Sequence, residues 1–136
     1  MIDFLQTINT LTSGSAVIIG SVAKWQNGYG TKPTNRFIDI AITPQFTGSI
    51  DTLGTRLEIQ GVTTFPTPIQ EQYVIKTDNY ILDVFVIDEL PDSTVISGSN
   101  IQTPQADVDF HTNLYNAQSN EYTLTKLNER KALYGL

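Results

Sequence analysis

The chain has 136 residues and a formal net charge of −6, with eight basic residues, fourteen acidic residues, one His and no Cys. This length fits a single domain with a core large enough to be stable without disulfides. The absence of Cys excludes thiolate catalysis and Cys-ligated zinc. The negative charge disfavours nucleic acid or an anionic membrane as the main partner.

Neutral hydrogen-bonding side chains make up most of the polar residues. Ser, Thr, Asn and Gln supply 44 residues, 18 of them Thr, whereas Asp, Glu, Lys and Arg together supply 22. Because Thr is a β-branched residue that favours strands, this composition favours a β-rich protein.

The N-terminal residues predict a short helix. Ile2, Leu5 and Ile8 recur at three-residue steps, and Gly14 marks the end of the run. No basic residue precedes these apolar positions, so we expect no secretory signal peptide. The longest apolar runs, such as residues 84–87, are too short to span a membrane.

Alternating apolar residues predict three clear strands, over residues 36–43, 55–60 and 79–88. The first strand places three Ile side chains on one face. The second places Leu57 and Ile59 inward between polar neighbours, as in an antiparallel sheet with one wet face. The third is apolar on both faces, which predicts a central strand.

Further strands are predicted over residues 16–23, 71–76, 94–97 and 106–110. Gly, Pro and Asn separate them, and Asn27-Gly28 is a strong hairpin signal. Together these elements predict a mainly β fold, an antiparallel β-sandwich or barrel of about six to eight strands, with short N-terminal and C-terminal helical segments.

The C-terminal segment, residues 119–136, is predicted to be a helix or docking arm on a β-rich domain formed by residues 1–118. Ser119 is a candidate cap and Gly135 a stop. Its apolar residues form two stripes and are candidates for a protein interface: Leu124, Leu127 and Tyr134 on one face, and Tyr122 and Leu133 on the other.

Trp25 and Tyr29 are further interface candidates. They lie beside the predicted Asn27-Gly28 hairpin, and basic residues flank them. Exposed aromatics of this kind anchor protein contacts or stack on bases or sugars. Burial of Trp25 beneath its own hairpin is the alternative, because Trp side chains are usually buried.

Two groups of polar residues are candidates for chemical sites. One side of the strand predicted at 106–110 would carry Asp107, Asp109 and His111. Three alternate residues of a strand cannot bind one metal ion unless the strand bends. Five carboxylates lie at strand ends and turns, with no sign that two share an apolar cleft: Asp78, Asp83, Asp88, Glu89 and Asp92. We therefore expect no catalytic residues, no metal and no cofactor.

The small size, the Thr-, Asn- and Gln-rich β pattern, the missing Cys and the terminal segments suited to docking resemble the small structural proteins of tailed-bacteriophage virions. The resemblance covers the whole chain in composition and style, and it implies a non-catalytic assembly protein located in the virion. Such a protein would serve in capsid decoration, in neck or tail completion or in tail structure. It would be a homo-oligomer that contacts copies of itself and neighbouring structural proteins. The alternative is a carbohydrate-binding β-sandwich that uses Trp25 and Tyr29, with an enzyme third.

Overall fold

The computed structural model describes residues 1–58 and 69–136, and only the backbone of Glu58, Ile69 and Gln70. Over these ranges the chain forms five α-helices and one seven-stranded sheet. No helix there is both long enough and apolar enough to cross a membrane.

The helices are α1 (Ile2–Leu11), α2 (Gly20–Gln26), α3 (Thr47–Asp51), α4 (Pro104–Ala117) and α5 (Glu121–Tyr134). The strands are β1 (Val17–Ile19), β2 (Phe37–Ile42), β3 (Thr55–Glu58), β4 (Ile69–Lys76), β5 (Ile81–Ile87), β6 (Ser93–Ile96) and β7 (Ser99–Gln102). Their order across the sheet is β3-β4-β5-β2-β1-β7-β6. The β2–β5 and β1–β7 pairs are parallel and the other pairs are antiparallel, so the sheet is mixed.

One face of the sheet carries the hydrophobic core. The strand register aligns Ile18, Ile40 and Val84 across three neighbouring strands, and each is almost fully buried. Other side chains of this core come from the outer strands and from the helices: Tyr73, Ile101, Leu5, Ile8, Val22 and Ile50. Each such side chain contributes about 1.5 to 3 kcal/mol when it leaves water, which fixes this face of the sheet as the inner one.

Alternation predicted the inner strands correctly. The three Ile residues of the predicted strand at 36–43 are fully buried in β2, and the strand predicted at 79–88 is β5, in the middle of the sheet. The strands predicted at 71–76 and 94–97 form β4 and β6, and the N-terminal helix is α1. The segments that form β2, β4 and β5 were predictable because each of these strands has a face buried in the core.

The predicted facing of the strand at 55–60 was wrong. It forms the edge strand β3, but Leu57 is 47% exposed and Arg56 lies on the core side, 3.8 Å from the centre of the Tyr73 ring. The register explains this, because Arg56 pairs with the buried Ile75. Residues 59 and 60 of this predicted strand lie outside the described residues.

The predicted mainly β sandwich or barrel was wrong, because the fold is mixed α/β. Residues 106–110 belong to helix α4 and not to a strand. The helix begins there because the Thr103 side chain accepts a hydrogen bond from the Ala106 N–H group and Pro104 occupies the first turn. Four alternating residues, Asp-Val-Asp-Phe, were too few to distinguish a strand from a helix.

The strand predicted over residues 16–23 stops at Ile19, and α2 begins at Gly20. The Asn27-Gly28 pair does not form the predicted hairpin, because it ends this helix. The Asn27 side-chain amide donates hydrogen bonds to the carbonyl oxygens of Ala23 and Gln102, and Gly28 has a positive φ of 89°. The same residue pair that favours a hairpin turn therefore serves here as a helix end.

The C-terminal helix is present as α5, and Gly135 ends it in the left-handed conformation, as predicted. Its cap is Asn120 and not Ser119, because the Asn120 side chain accepts from the Thr123 N–H group. The helix packs on α4, and its Leu127 side chain is buried.

We predict that Leu127→Ala lowers the free energy of unfolding by about 2 to 3 kcal/mol, because it leaves a cavity under α5. Leu124→Ala is the matched control, since that side chain on the same helix is 39% exposed. It should change stability by less than about 0.5 kcal/mol. Urea denaturation measures both variants, and equal losses would contradict this packing of α5.

Candidate functional site

The sheet face opposite the core carries two carboxylates side by side. Asp39 of β2 is directly opposite Asp83 of β5 in the parallel register, and Ile19 of β1 pairs with Asp39 on the other side. Neighbouring strands lie about 4.8 Å apart, so the two carboxyl groups occupy one site. Both residues are half-buried.

Both carboxylates are electrostatically unfavourable in their charged form. Burial, together with the charge of Asp83, raises the pKa of Asp39 to about 7. Burial also raises the pKa of Asp83, against the opposing effect of a 3.0 Å hydrogen bond from the Gln72 amide to its carboxylate. In the described part of the chain, no basic side chain forms an ion pair with either group.

An uncompensated pair of this kind is typical of a cation site, because a bound cation would relieve the repulsion. Among the described residues, no cluster of three or more His, Cys, Asp or Glu side chains is arranged to hold a metal. Mg²⁺, however, is commonly bound by one or two carboxylates that act together with substrate phosphates. Asp39 and Asp83 therefore fit a magnesium ion that arrives with a phosphate ligand better than a permanent structural metal.

Gly20 lets the Asp39 carboxylate lie close against the backbone. It lies at the turn from β1 to α2 with a φ of +67°, and a Cβ atom at this position would lie 2.5 Å from the Asp39 Oδ2 atom. Its backbone N–H group donates to the Oε1 atom of Gln102 at 3.4 Å. A residue other than glycine would strain the backbone and displace the carboxylate.

A cavity of about 450 Å³ adjoins the carboxylate pair. Its floor is the same sheet face: Ile19, Ala41, Phe85 and Ile87. Helix α4 forms one wall, and residues 88–92 form the rim. Ala41 and Phe85 each lie two residues beyond Asp39 and Asp83 on the same strands, so the cavity begins where the carboxylate pair ends.

The predicted chemical group of Asp107, Asp109 and His111 is split by α4. Asp109 is exposed and accepts a hydrogen bond from Gln105, whereas Asp107 is buried. Asp107 accepts a 2.5 Å hydrogen bond from the Tyr134 hydroxyl, with the His111 Nε2 atom 3.4 Å from its carboxylate. Burial lowers the pKa of His111. This cluster joins α4 to α5.

The aromatic candidates Trp25 and Tyr29 are half-buried near the end of α2. The Lys32 amino group lies 5.8 Å from the centre of the Trp25 ring, and the Tyr29 ring packs edge-on against Tyr134 with 4.8 Å between ring centres. On α5, Tyr122 is 68% exposed, and Leu124 and Leu133 are exposed to a smaller extent. An interface formed by these residues stays a prediction.

Sequence reasoning missed the carboxylate pair. Asp39 was not among the candidate residues, and Asp83 was one of five acids not expected to share an apolar cleft. The signal was present in each strand, since an Asp interrupts both Phe-Ile-Asp-Ile-Ala-Ile and Ile-Leu-Asp-Val-Phe-Val-Ile. A carboxylate within a strand otherwise made of apolar residues is unusual enough to mark a site.

No protein-family model and no curated protein matches the chain. The solution structure of the antibiotic-resistance factor ANT(2'')-Ia is similar in fold, with a TM-score of 0.58 and 12% identity over 96% of this chain and 82% of that chain. The crystal structure of ANT(2'')-Ia in complex with adenylyl-2''-tobramycin gives a TM-score of 0.55 and 12% identity over 96% and 87%. At this identity the similarity shows a shared fold.

These similarities contradict the predicted virion role and the predicted lack of catalysis. They also contradict the carbohydrate-binding β-sandwich, since the shared fold is mixed α/β. The resemblance to phage structural proteins rested on a neutral polar composition. Composition of that kind describes how a surface is hydrated, and it does not report which side chains share a site.

We predict that Gly20→Ala lowers stability by about 1 to 3 kcal/mol and weakens Mn²⁺ binding at least several-fold, because the new methyl group displaces Asp39. Gly14→Ala is the matched control. Gly14 has a similar φ of +76°, but nothing lies within 4 Å of its Cβ position. Gly14→Ala should lose stability because of its backbone conformation but keep Mn²⁺ binding. Urea denaturation measures the stability, and calorimetry measures the Mn²⁺ affinity. Equal Mn²⁺ affinities would contradict the contact with Asp39.

The raised pKa of Asp39 predicts that stability falls as pH rises. Between its ordinary value of 3.8 and the folded value of about 7, the folded protein keeps a proton that the unfolded chain has released. Above pH 7, Asp39→Asn should therefore be more stable than the wild type by about 2 to 4 kcal/mol, with a flatter pH profile. Urea denaturation across this pH range measures the effect. If Asp39→Asn and the wild type show the same dependence of stability on pH, the pKa of Asp39 is not raised in the folded protein.

Proposed function

We propose that this protein transfers a nucleotidyl group from a nucleoside triphosphate to a small acceptor, with a divalent cation held by Asp39 and Asp83. The carboxylate pair itself carries the proposal. It is half-buried, has no basic partner among the described residues and opens beside a cavity. A protein gains nothing in stability from such a pair, so we attribute it to binding.

The reaction has a simple balance. An acceptor hydroxyl oxygen forms a bond to the α-phosphorus, the bond from that phosphorus to the oxygen bridging to the β-phosphorus breaks, and pyrophosphate leaves. The hydroxyl proton passes to solvent. A bound divalent cation supplies charge neutralisation for the triphosphate and the departing pyrophosphate. Asp39 and Asp83 position that charge, while the adjoining cavity orients the acceptor.

Ala41 limits the site to few carboxylate ligands. It lies on the same face of β2 as Asp39, two residues further along, and lines the cavity. A carboxylate at this position would add a ligand for a second cation, as in sites that clamp both the attacking and the leaving oxygen. With Ala41, the two carboxylates offer ligands for one cation, and we expect one to bind.

The shared fold supports transfer of an adenylyl group in particular. ANT(2'')-Ia was solved with adenylyl-2''-tobramycin, a molecule in which an adenylyl group is joined to a second compound. We extend that class of reaction to this chain as part of the proposal, and ATP is therefore the first nucleotide to test.

We predict that Asp83→Asn weakens magnesium-dependent ATP binding by at least tenfold, because it removes one of the two ligand carboxylates. The control is Asp78→Asn, an exposed residue just before β5 that changes the net charge equally. Calorimetry with ATP, with and without Mg²⁺, measures affinity, and thermal melting confirms that both variants fold.

Pyrophosphate release from ATP, measured over a set of hydroxyl-bearing acceptors, tests the transfer step itself. Wild-type protein should release pyrophosphate only with Mg²⁺ and an acceptor. Unchanged ATP affinity in Asp83→Asn, or wild-type binding that does not depend on Mg²⁺, would contradict the proposed site.

A further inference from the structure

Helix α5 keeps a stripe of side chains exposed while it packs on α4 and buries Leu127. The outer residues of this stripe are Tyr122 and Leu133, which are 68% and 37% exposed. The inner residues are Lys126 and Glu129, whose side chains are 41% and 61% exposed. We name these four residues the α5 stripe. An aromatic and an aliphatic side chain left in water at both ends of a charged pair call for a partner surface.

The spacing of the α5 stripe is that of a helix–helix contact. Its four residues follow one another at intervals of four, three and four positions. Alternate intervals of three and four keep side chains on one side of a helix, and this is the spacing of the seam along which two helices pack in a coiled coil. The stripe is therefore suited to lie along a second helix.

The two inner residues give the stripe a direction. The Lys126 amino group lies 3.7 Å from the Glu129 carboxylate and 5.7 Å from the centre of the Tyr122 ring. An exposed ion pair within one helix contributes little to stability. Along the helix, however, it presents a positive charge first and a negative charge second. A complementary helix must present the negative charge first.

A second copy of α5 meets this requirement when it runs antiparallel. The outer residues and the inner residues of the α5 stripe share one midpoint along the helix. A two-fold axis at that point places Tyr122 against Leu133 of the partner subunit and Lys126 against Glu129 of the partner subunit, and each contact occurs twice. A parallel pairing would place like charges opposite each other. We propose that the α5 stripe is the interface of a homodimer in which two α5 helices pack antiparallel about this axis.

The dimer is weak and reversible. Helix α5 has 14 residues and is about 21 Å long, so a pair of such helices buries less surface than a standard protein interface of about 1,600 Å². The outer residues supply the apolar contact, and the inner charges fix direction and register. None of the four residues is among those that line the cavity in the described part of the chain. The dimer therefore does not depend on the proposed function.

The first test is the mass of the full chain in solution. In sedimentation equilibrium, the mass should rise with concentration from 15.1 kDa to twice that value and stop there, because a two-fold contact is closed. A mass that stays at 15.1 kDa up to about 1 mM would overturn the proposal. A mass that continues to rise beyond the dimer would overturn the two-fold arrangement.

Two leucines of the same helix provide a matched comparison. Leu133 and Leu124 are 37% and 39% exposed, but Leu124 lies two positions after Tyr122 and so faces away from the α5 stripe. Leu133→Ser should raise the dimer dissociation constant by about tenfold or more, because its contact occurs twice. Leu124→Ser should leave the constant within about twofold. Equal effects of the two substitutions would overturn the assignment of the interface to this stripe.

Charge reversal tests the antiparallel pairing. Lys126→Glu alone, or Glu129→Lys alone, places like charges opposite each other twice and should weaken the dimer by about tenfold or more. An equimolar mixture of these two single variants should dimerise again, because each negative side chain then faces a positive one. A mixture that dimerises no better than either variant alone would overturn the proposal.

The double variant Lys126→Glu with Glu129→Lys keeps the net charge and exchanges the two inner residues. It should dimerise within about threefold of the wild type, because each pair still joins opposite charges. Circular dichroism checks that every variant keeps its helices. A folded double variant that stays monomeric would also overturn the antiparallel pairing.

Discussion

The parallel pairing of β2 with β5 is the constraint on which the site depends. Burial of Ile38, Ile40 and Ile42 against the core fixes the register of β2, and the apolar residues of β5 do the same on the next strand. Because side chains alternate along a strand, the opposite face must then bring Asp39 beside Asp83. The hydrophobic core thus holds two carboxylates side by side, although their negative charges repel each other.

This repulsion links stability to function. A raised pKa at Asp39 means that the charged form of this carboxyl group is the less stable one in the fold, and a bound cation would offset that cost. Gly20 and Ala41 are small residues on either side of Asp39: the carboxylate lies against Gly20, and Ala41 lines the cavity.

Sequence reasoning was successful where one local pattern decides the outcome and failed where two patterns compete. The buried faces of β2 and β5, the presence of α1 and α5, and the end of α5 follow from alternation, helical spacing and Gly135. The segment at 106–110 fits a strand by alternation, yet the Thr103 cap and Pro104 begin a helix there. The Asn27-Gly28 pair likewise ends a helix, because Asn27 can bond to the β7 carbonyl of Gln102, a partner 75 residues away.

The sequence by itself determined which residues share a face of each strand, because the period of two is local, and it bounded the chemistry by excluding thiolates. It also contained both carboxylates within apolar strands. Only the tertiary structure decided that β2 lies between β1 and β5, so that residues 39 and 83, 44 positions apart in the chain, become neighbours. The physical reason is that periodicity fixes the face on which a side chain lies, whereas the choice of the adjacent strand depends on packing across the whole sheet.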